Sequence, residues 1–193
     1  MQIYRVITGV LEENCYIATQ DGAQAVVVDP GDNAPDLIGV LRQQKLEPVL
    51  ILLTHGHSDH TGALVALQQE FGTPVAVHRE ENGLLEGSVP ALDAARFVEG
   101  EEVLETAGLA IRVLHTPGHT WGSCCYLIND VLFSGDTLFA GSIGRTDFPE
   151  GSDEAMQESL AVLRSLPDDV QVLPGHGPAT SIGREKATNP WLR

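Results

Sequence analysis

The chain reads as an α/β protein in which two β-sheets pack face to face and helices cover them outside. Three observations predict this. Apolar runs of strand length come in two successive sets, each set is followed by segments with helical spacing, and neither a linker nor a repeat divides the 193 residues. That length gives one domain, 1–193, with room for a sizeable core.

Residues 1–8, 14–19 and 24–29 read as three early strands, parted by the turn-like stretches 12–14 and 20–22. Asp29-Pro30-Gly31 closes the third. Asp29 there either caps a turn or orients a ligand histidine from behind, and the two roles do not exclude each other. Residues 33–44 carry Leu37, Ile38 and Leu41 at helical spacing, with Asn33 as N-cap and Pro35 in the first turn. The apolar run 49–53 reads as a buried strand, followed at once by Thr54-His55-Gly56-His57-Ser58-Asp59-His60. Neutral imidazoles and a carboxylate are the usual ligands of zinc and of first-row transition metals. The plain alternative is a polar loop whose histidines only hydrogen-bond, and four potential ligands packed behind one hydrophobic strand argue against it. Residues 61–71 repeat the helical pattern through Leu64, Val65, Leu67 and Phe71, ended by Gly72. His60 then lies near a helix start, whose dipole favours the anionic Asp59.

Residues 74–77 form a short strand and 78–85 a short helix, and His78, without a strand-end glycine, is structural or on the surface. The irregular stretch 87–94, with Pro90, is of the kind that overhangs a site. The sheet pattern resumes at 102–106 and 109–114. His119 follows in Thr116-Pro117-Gly118-His119-Thr120, a turn able to aim it inward, while the earlier His115 orders that turn by a hydrogen bond. Residues 123–128 and 131–134 make a hairpin across Asn129-Asp130 that ends at Asp136, in Ser134-Gly135-Asp136-Thr137. The polar, glycine-rich stretch 137–151 must run beside this site. Its Arg145 either pairs with Asp147 or Glu150 as a clamp or presents its donors to a substrate carboxylate. Residues 152–166 are an amphipathic helix with Ser152 as N-cap, acidic Asp153 and Glu154, and a core stripe of Met156, Leu160, Leu163 and Leu166. The strand 170–173 leads to His176 in Pro174-Gly175-His176-Gly177, and a short helix starts from Ser181. His119, Asp136 and His176 each follow an apolar run and stand beside glycine or proline, so four strand ends point at one place.

A net charge of −16 excludes nucleic acid as a partner, since polyanion binders carry basic patches. No run approaches the ~20 apolar residues of a membrane span, and no signal-peptide core follows Met1, so the expected setting is cytoplasmic. Cys15, Cys124 and Cys125 make a poor disulfide framework and are read as small core residues. A monomer or small homo-oligomer acting on a small molecule fits these bounds.

The pattern His55-x-His57-x-Asp59-His60, followed by His119, Asp136 and His176, resembles the metallo-β-lactamase superfamily from Val28-Asp29-Pro30-Gly31 to Pro174-Gly175-His176-Gly177. The resemblance implies a four-layer αββα sandwich with metals at one edge of the two sheets. Ser134-Gly135-Asp136-Thr137-Leu138-Phe139, Gly144-Arg145-Thr146-Asp147-Phe148 and Asn189-Pro190-Trp191-Leu192 look like its glyoxalase II branch, in the short bacterial type without a C-terminal helical domain. That resemblance implies two divalent metal ions, zinc first, with iron or manganese as alternatives. His55, His57 and His119 would hold one, Asp59, His60 and His176 the second, and Asp136 would bridge both. A bridging hydroxide would attack a thioester, foremost an S-2-hydroxyacylglutathione, with Asp59 orienting it and Arg145 anchoring a glycyl carboxylate. Asp59 and Asp136 are thus the catalytic candidates. The Gly-Arg-Thr-Asp-Phe run is similar also to the persulfide dioxygenases, which hold a single iron with positions matching His55, His119 and Asp136. Because residues 145–148 are not those of classical glyoxalase II, a metallo-hydrolase with a non-glutathione substrate is the other alternative. The combination of Asp59, His60 and Asp136 argues against a dedicated lactamase.

Overall fold

The computed structural model describes residues 1–88 and 95–193. The first sheet runs in chain order, β1 (Gln2–Thr8), β2 (Glu13–Thr19), β3 (Gln24–Val28), β4 (Glu47–Leu52), β5 (Val75–His78) and β6 (Ala95–Val98). Its first three strands are antiparallel, and β3 through β6 pair in parallel. Parallel neighbours need crossovers, which α1 (Ala34–Gln44), then α2 (Ser58–Thr61) with α3 (Leu64–Phe71), and α4 (Asn82–Ser88) help to provide. The second sheet contains β7 (Val103–Thr106), β8 (Leu109–His115), β9 (Cys124–Ile128) and β10 (Val131–Gly135), antiparallel in sequence. A small hairpin, β11 (Leu138–Phe139) with β12 (Ser142–Ile143), and the helix α5 (Asp153–Arg164) then lead to β13 (Gln171–Pro174), parallel to β10, and to β14 (Thr180–Ser181) and α6 (Ile182–Thr188).

Strand alternation sorts the apolar side chains into three layers of core. In β2, Tyr16 and Ala18 face the second sheet's Ile111, Val113, Tyr126 and Phe133. Their neighbours Cys15 and Ile17 face the other way, onto Leu37 and Leu41 of α1 and Leu64 and Leu67 of α3. Behind the second sheet, Cys125, Leu132 and Val172 pack on Met156, Leu160 and Leu163 of α5. Helix, sheet, sheet and helix are therefore the four layers, and all three cysteines are buried and free, as core residues. Tyr16 and Phe133 join the sheets edge to face at 5.4 Å. Phe133→Ala should cost about 3–5 kcal/mol, because it leaves a cavity where the sheets meet; urea unfolding of the metal-free protein measures it.

The expected strands and the 152–166 helix are present within a residue or two at their ends, and the Ser152 side chain accepts from the Ala155 N–H as its cap. Two readings need correction, and two elements are added. Asn33 stands at the N-cap position of α1 but in the left-handed conformation, and its side chain caps nothing. The helix expected over 61–71 is broken between α2 and α3, because the Ala63 N–H turns aside to the Pro30 carbonyl at 3.0 Å. The polar 137–151 stretch also holds the β11–β12 hairpin, and neither that hairpin nor β6 was among the expected elements. The 87–94 stretch expected to overhang the site lies mostly outside the described residues. Among those described, no helix is long and apolar enough to cross a membrane.

Candidate metal centre

Every ligand-bearing loop leaves one edge of the two sheets. His55, His57, Asp59 and His60 follow β4, His119 follows β8, Asp136 follows β10 and His176 follows β13. The edge is sewn together by backbone. The Cys124 N–H donates to the Thr54 carbonyl at 2.8 Å, and the Asn14 N–H to the Gly175 carbonyl at 2.7 Å. The Asn14 amide also donates to the Pro174 and Gly177 carbonyls, both at 3.0 Å.

All seven sequence-expected residues meet there. His55, His57 and His119 bring one ligand atom each within 4.8 Å of one another, and so do Asp59, His60 and His176. Asp136 lies between the two sets, with Oδ1 3.4 Å from His60 Nε2 and Oδ2 3.6 Å from His119 Nε2 and 3.8 Å from His176 Nε2. The triple Asp29, His55 and His60 is equally close. Asp29 is already engaged, however, accepting from the Thr54 N–H at 2.7 Å and the Thr54 hydroxyl at 2.6 Å, and facing His60 Nδ1 at 3.0 Å. It therefore stands behind the ligands, one of the two roles the sequence left open.

The tautomers show whether this cluster suits a metal. Each imidazole has one nitrogen held by an acceptor. His55 Nδ1 meets the Thr54 hydroxyl at 3.0 Å, and His60 Nδ1 meets Asp29. His57 Nε2 meets Glu150 at 2.9 Å, His119 Nδ1 the Arg145 carbonyl at 2.8 Å and His176 Nδ1 the Leu11 carbonyl at 3.1 Å. Each remaining nitrogen faces the shared centre, where His57 Nδ1 and His119 Nε2 approach to 2.9 Å. His55 Nε2, His60 Nε2 and Asp136 Oδ1 are buried there without a hydrogen-bond partner. Buried polar atoms are rarely left unpaired, and imidazoles held from behind by acceptors are the usual surroundings of a metal ligand. The backbone leaves matching room: a Cβ on Gly175 would stand 2.7 Å from His60 Cε1. The donor set fits divalent ions of the zinc, iron or manganese type.

Charge follows the same plan. Burial and the neighbouring histidines hold His55 well below its ordinary pKa, so its ring is neutral and its lone pair free at pH 7. Burial pushes Asp59 up, but the His176 hydrogen bond and the His60 charge outweigh it and bring the carboxyl to about 2. Asp136 is likewise pushed up by burial and brought below its ordinary value by His60, His119 and His176. Glu13 behaves differently. Burial pushes it up to about 9, so beside Asp29 it carries a proton at neutral pH. The centre opens into a cleft of about 650 Å³, walled by Leu11, Phe139 and Phe148.

Two expected residues do less than the sequence suggested. His115 orders its turn, donating to the Trp121 carbonyl at 2.9 Å, but it touches no member of the cluster. It stacks on the buried His78, rings 4.0 Å apart and 7° from parallel, which makes His78 structural. Arg145 lines the cleft with its fork held by Asp147 at 2.6 and 2.8 Å and its guanidinium over the Phe148 ring. Both of its proposed roles use this position. Sequence reasoning missed Glu150 as the partner of His57, having paired it only with Arg145 as an option.

Residues 8–176 match the family model described as the metallo-beta-lactamase superfamily. The chain is 36% identical to hydroxyacylglutathione hydrolase GloC of Haemophilus influenzae, over 100% of this chain and 98% of that protein. Among solved structures, it is similar to the BLEG-1 B3 metallo-beta-lactamase (TM-score 0.91, 36% identity, 99% of both chains). TTHA1623, solved in a di-iron-bound form, compares at a TM-score of 0.90 and 36% identity, over 98% of this chain and 100% of that one. ETHE1 from Myxococcus xanthus compares at 0.86 and 31%, over 98% and 84%.

Proposed function

The chain belongs to the metallo-beta-lactamase superfamily, and on that footing we propose that it is a binuclear metal-dependent thioester hydrolase of the hydroxyacylglutathione hydrolase type. The observation that carries the metal centre is the set of five imidazoles, each held from behind by an acceptor, with their other nitrogens turned on one shared centre, where those of His60, His119 and His176 lie within 3.8 Å of Asp136. The similarity to GloC across both whole chains supports the substrate class.

His55, His57 and His119 would hold one ion, Asp59, His60 and His176 the other, and Asp136 both. Such ions supply a Lewis acid for a carbonyl oxygen and bring the pKa of a water from 15.7 towards ~7. The chain's own residues do the rest. Asp59, ionised down to about pH 2, is too weak a base to store the proton and instead accepts a hydrogen bond that aims the attacking water. Leu11, Phe139 and Phe148 exclude bulk water from the acyl group and leave Arg145 at the rim for an anionic end of the thiol carrier.

Hydrolysis of S-D-lactoylglutathione by the metal-reconstituted protein, followed as loss of thioester absorbance without oxygen, is the test. Turnover that a chelator abolishes is the expected result; no turnover with zinc, manganese or iron would overturn the thioester assignment. The ETHE1 similarity supports a second reading, a mononuclear iron persulfide dioxygenase. Oxygen uptake on glutathione persulfide separates the two, and a chromogenic β-lactam tests the lactamase likeness. Arg145→Ala should raise KM about tenfold or more with kcat little changed, the loss of one charge-assisted contact. Misfolding instead would mark Arg145 as a clamp.

A further inference from the structure

Glu81, at the end of the 3-10 turn Arg79–Glu81, is fully buried and is not one of the seven cluster residues. Its two oxygens are divided between the two loops that carry His55, His57 and His119. Oε2 accepts from the Gly56 N–H at 2.6 Å, the peptide between His55 and His57. Oε1 accepts from the Gly122 N–H and from the Thr120 hydroxyl, both at 2.7 Å, just past His119. Both loops are shaped to receive it. A Cβ on Gly122 would stand 2.7 Å from Oε1, and one on Gly56 would stand 3.1 Å from Oε2.

A buried carboxylate is a costly way to join two loops, unless the joint must be stiff. Hydrogen bonds to an ionised acceptor are shorter and stronger than neutral ones, and three of them fix both loops to one rigid group. Those loops belong to different sheets, one following β4 and the other following β8. The second triple rests on other supports, the Leu11 carbonyl behind His176 and Asp29 behind His60, the latter also reaching His55 through the Thr54 hydroxyl, and Glu81 bonds to neither His60 nor His176.

We propose that Glu81 is the positioning residue of the His55/His57/His119 triple, holding its two loops in register before any metal arrives. Its loss weakens that triple selectively. The proposal rests on the metal reading above, and its test separates the two. Metal-free protein is titrated with Co2+, reading visible absorption and the number of ions bound, for the unsubstituted chain, Glu81→Gln and His119→Ala. His119→Ala supplies the spectrum of the second triple alone. Glu81→Gln keeps the side chain's length but turns an N–H donor towards one of the loops. The expected result is that the first triple's absorption needs about tenfold or more Co2+, the usual effect of removing a group that supports ligands from behind, while the second triple fills as before. A titration matching the unsubstituted chain would overturn the proposal. So would equal weakening of both triples in step with a lower Tm, which would make Glu81 a folding contact only. Should Glu81→Gln not fold, Thr120→Val removes one donor of the three, and a smaller shift confined to the first triple is expected; no such shift overturns the proposal. If the unsubstituted chain takes up no Co2+, the metal reading itself fails and the proposal falls with it.

Discussion

Asp136→Ala is expected to remove turnover and most of the bound metal while leaving the metal-free fold standing. Among the described residues, Asp136 is the carboxylate set between both triples, within 3.8 Å of His60, His119 and His176. Groups that only support a ligand are worth ~10- to 100-fold in metal affinity, so a residue serving both sets should cost more than ~100-fold. The metal-free protein gives up the attraction by which His60, His119 and His176 hold this carboxyl below its ordinary value, but Oδ1 is buried without a hydrogen-bond partner, so the loss of stability should be smaller than the loss of metal. Metal content after dialysis, read beside urea unfolding of the metal-free protein, checks both halves. Retained turnover would show that the chemistry lies elsewhere.

Asp29→Ala should have the opposite signature, a large loss of stability before any metal is added. This carboxylate is buried and engages the Thr54 N–H, the Thr54 hydroxyl and His60 Nδ1. Taking one partner from such a network costs ~3–5 kcal/mol, since the others stay buried and unpaired. Asp29→Asn should cost less. Asparagine tolerates the left-handed backbone at this position, φ 49°, and keeps one acceptor oxygen. Urea unfolding of the two variants gives the order, and equal losses would show that the amide recovers nothing and that the ionised carboxylate carries the whole effect.

What the sequence made legible was local. The ligand loops could be read because each pairs an apolar run with glycine or proline beside a histidine or aspartate within a few positions. The α5 helix could be read because its cap, acidic first turn and apolar stripe lie in one continuous stretch. Glu81 and Glu150 could not, because a surface-type residue in an ordinary run acquires its meaning only from loops 25 to 93 positions away. No spacing rule marks such a partner. The strand β6 was missed for a related reason: its four residues owe their conformation to pairing with β5. The break between α2 and α3 likewise answers to Pro30, a neighbour in space, against a helical pattern that runs on unbroken in sequence.

The placement of the cluster across both sheets has a consequence for the lifetime of the chain. His55 and His176 stand more than a hundred residues apart in sequence, yet both turn on one centre. Ions gripping that centre would act as a removable cross-link between the halves of the sandwich. By the entropy of loop closure, a permanent link of that span is worth roughly 4.7 kcal/mol. A metal-starved chain should therefore part along its seam and reach proteases sooner than a metal-replete one, making the supply of the ion a control on how long each molecule survives.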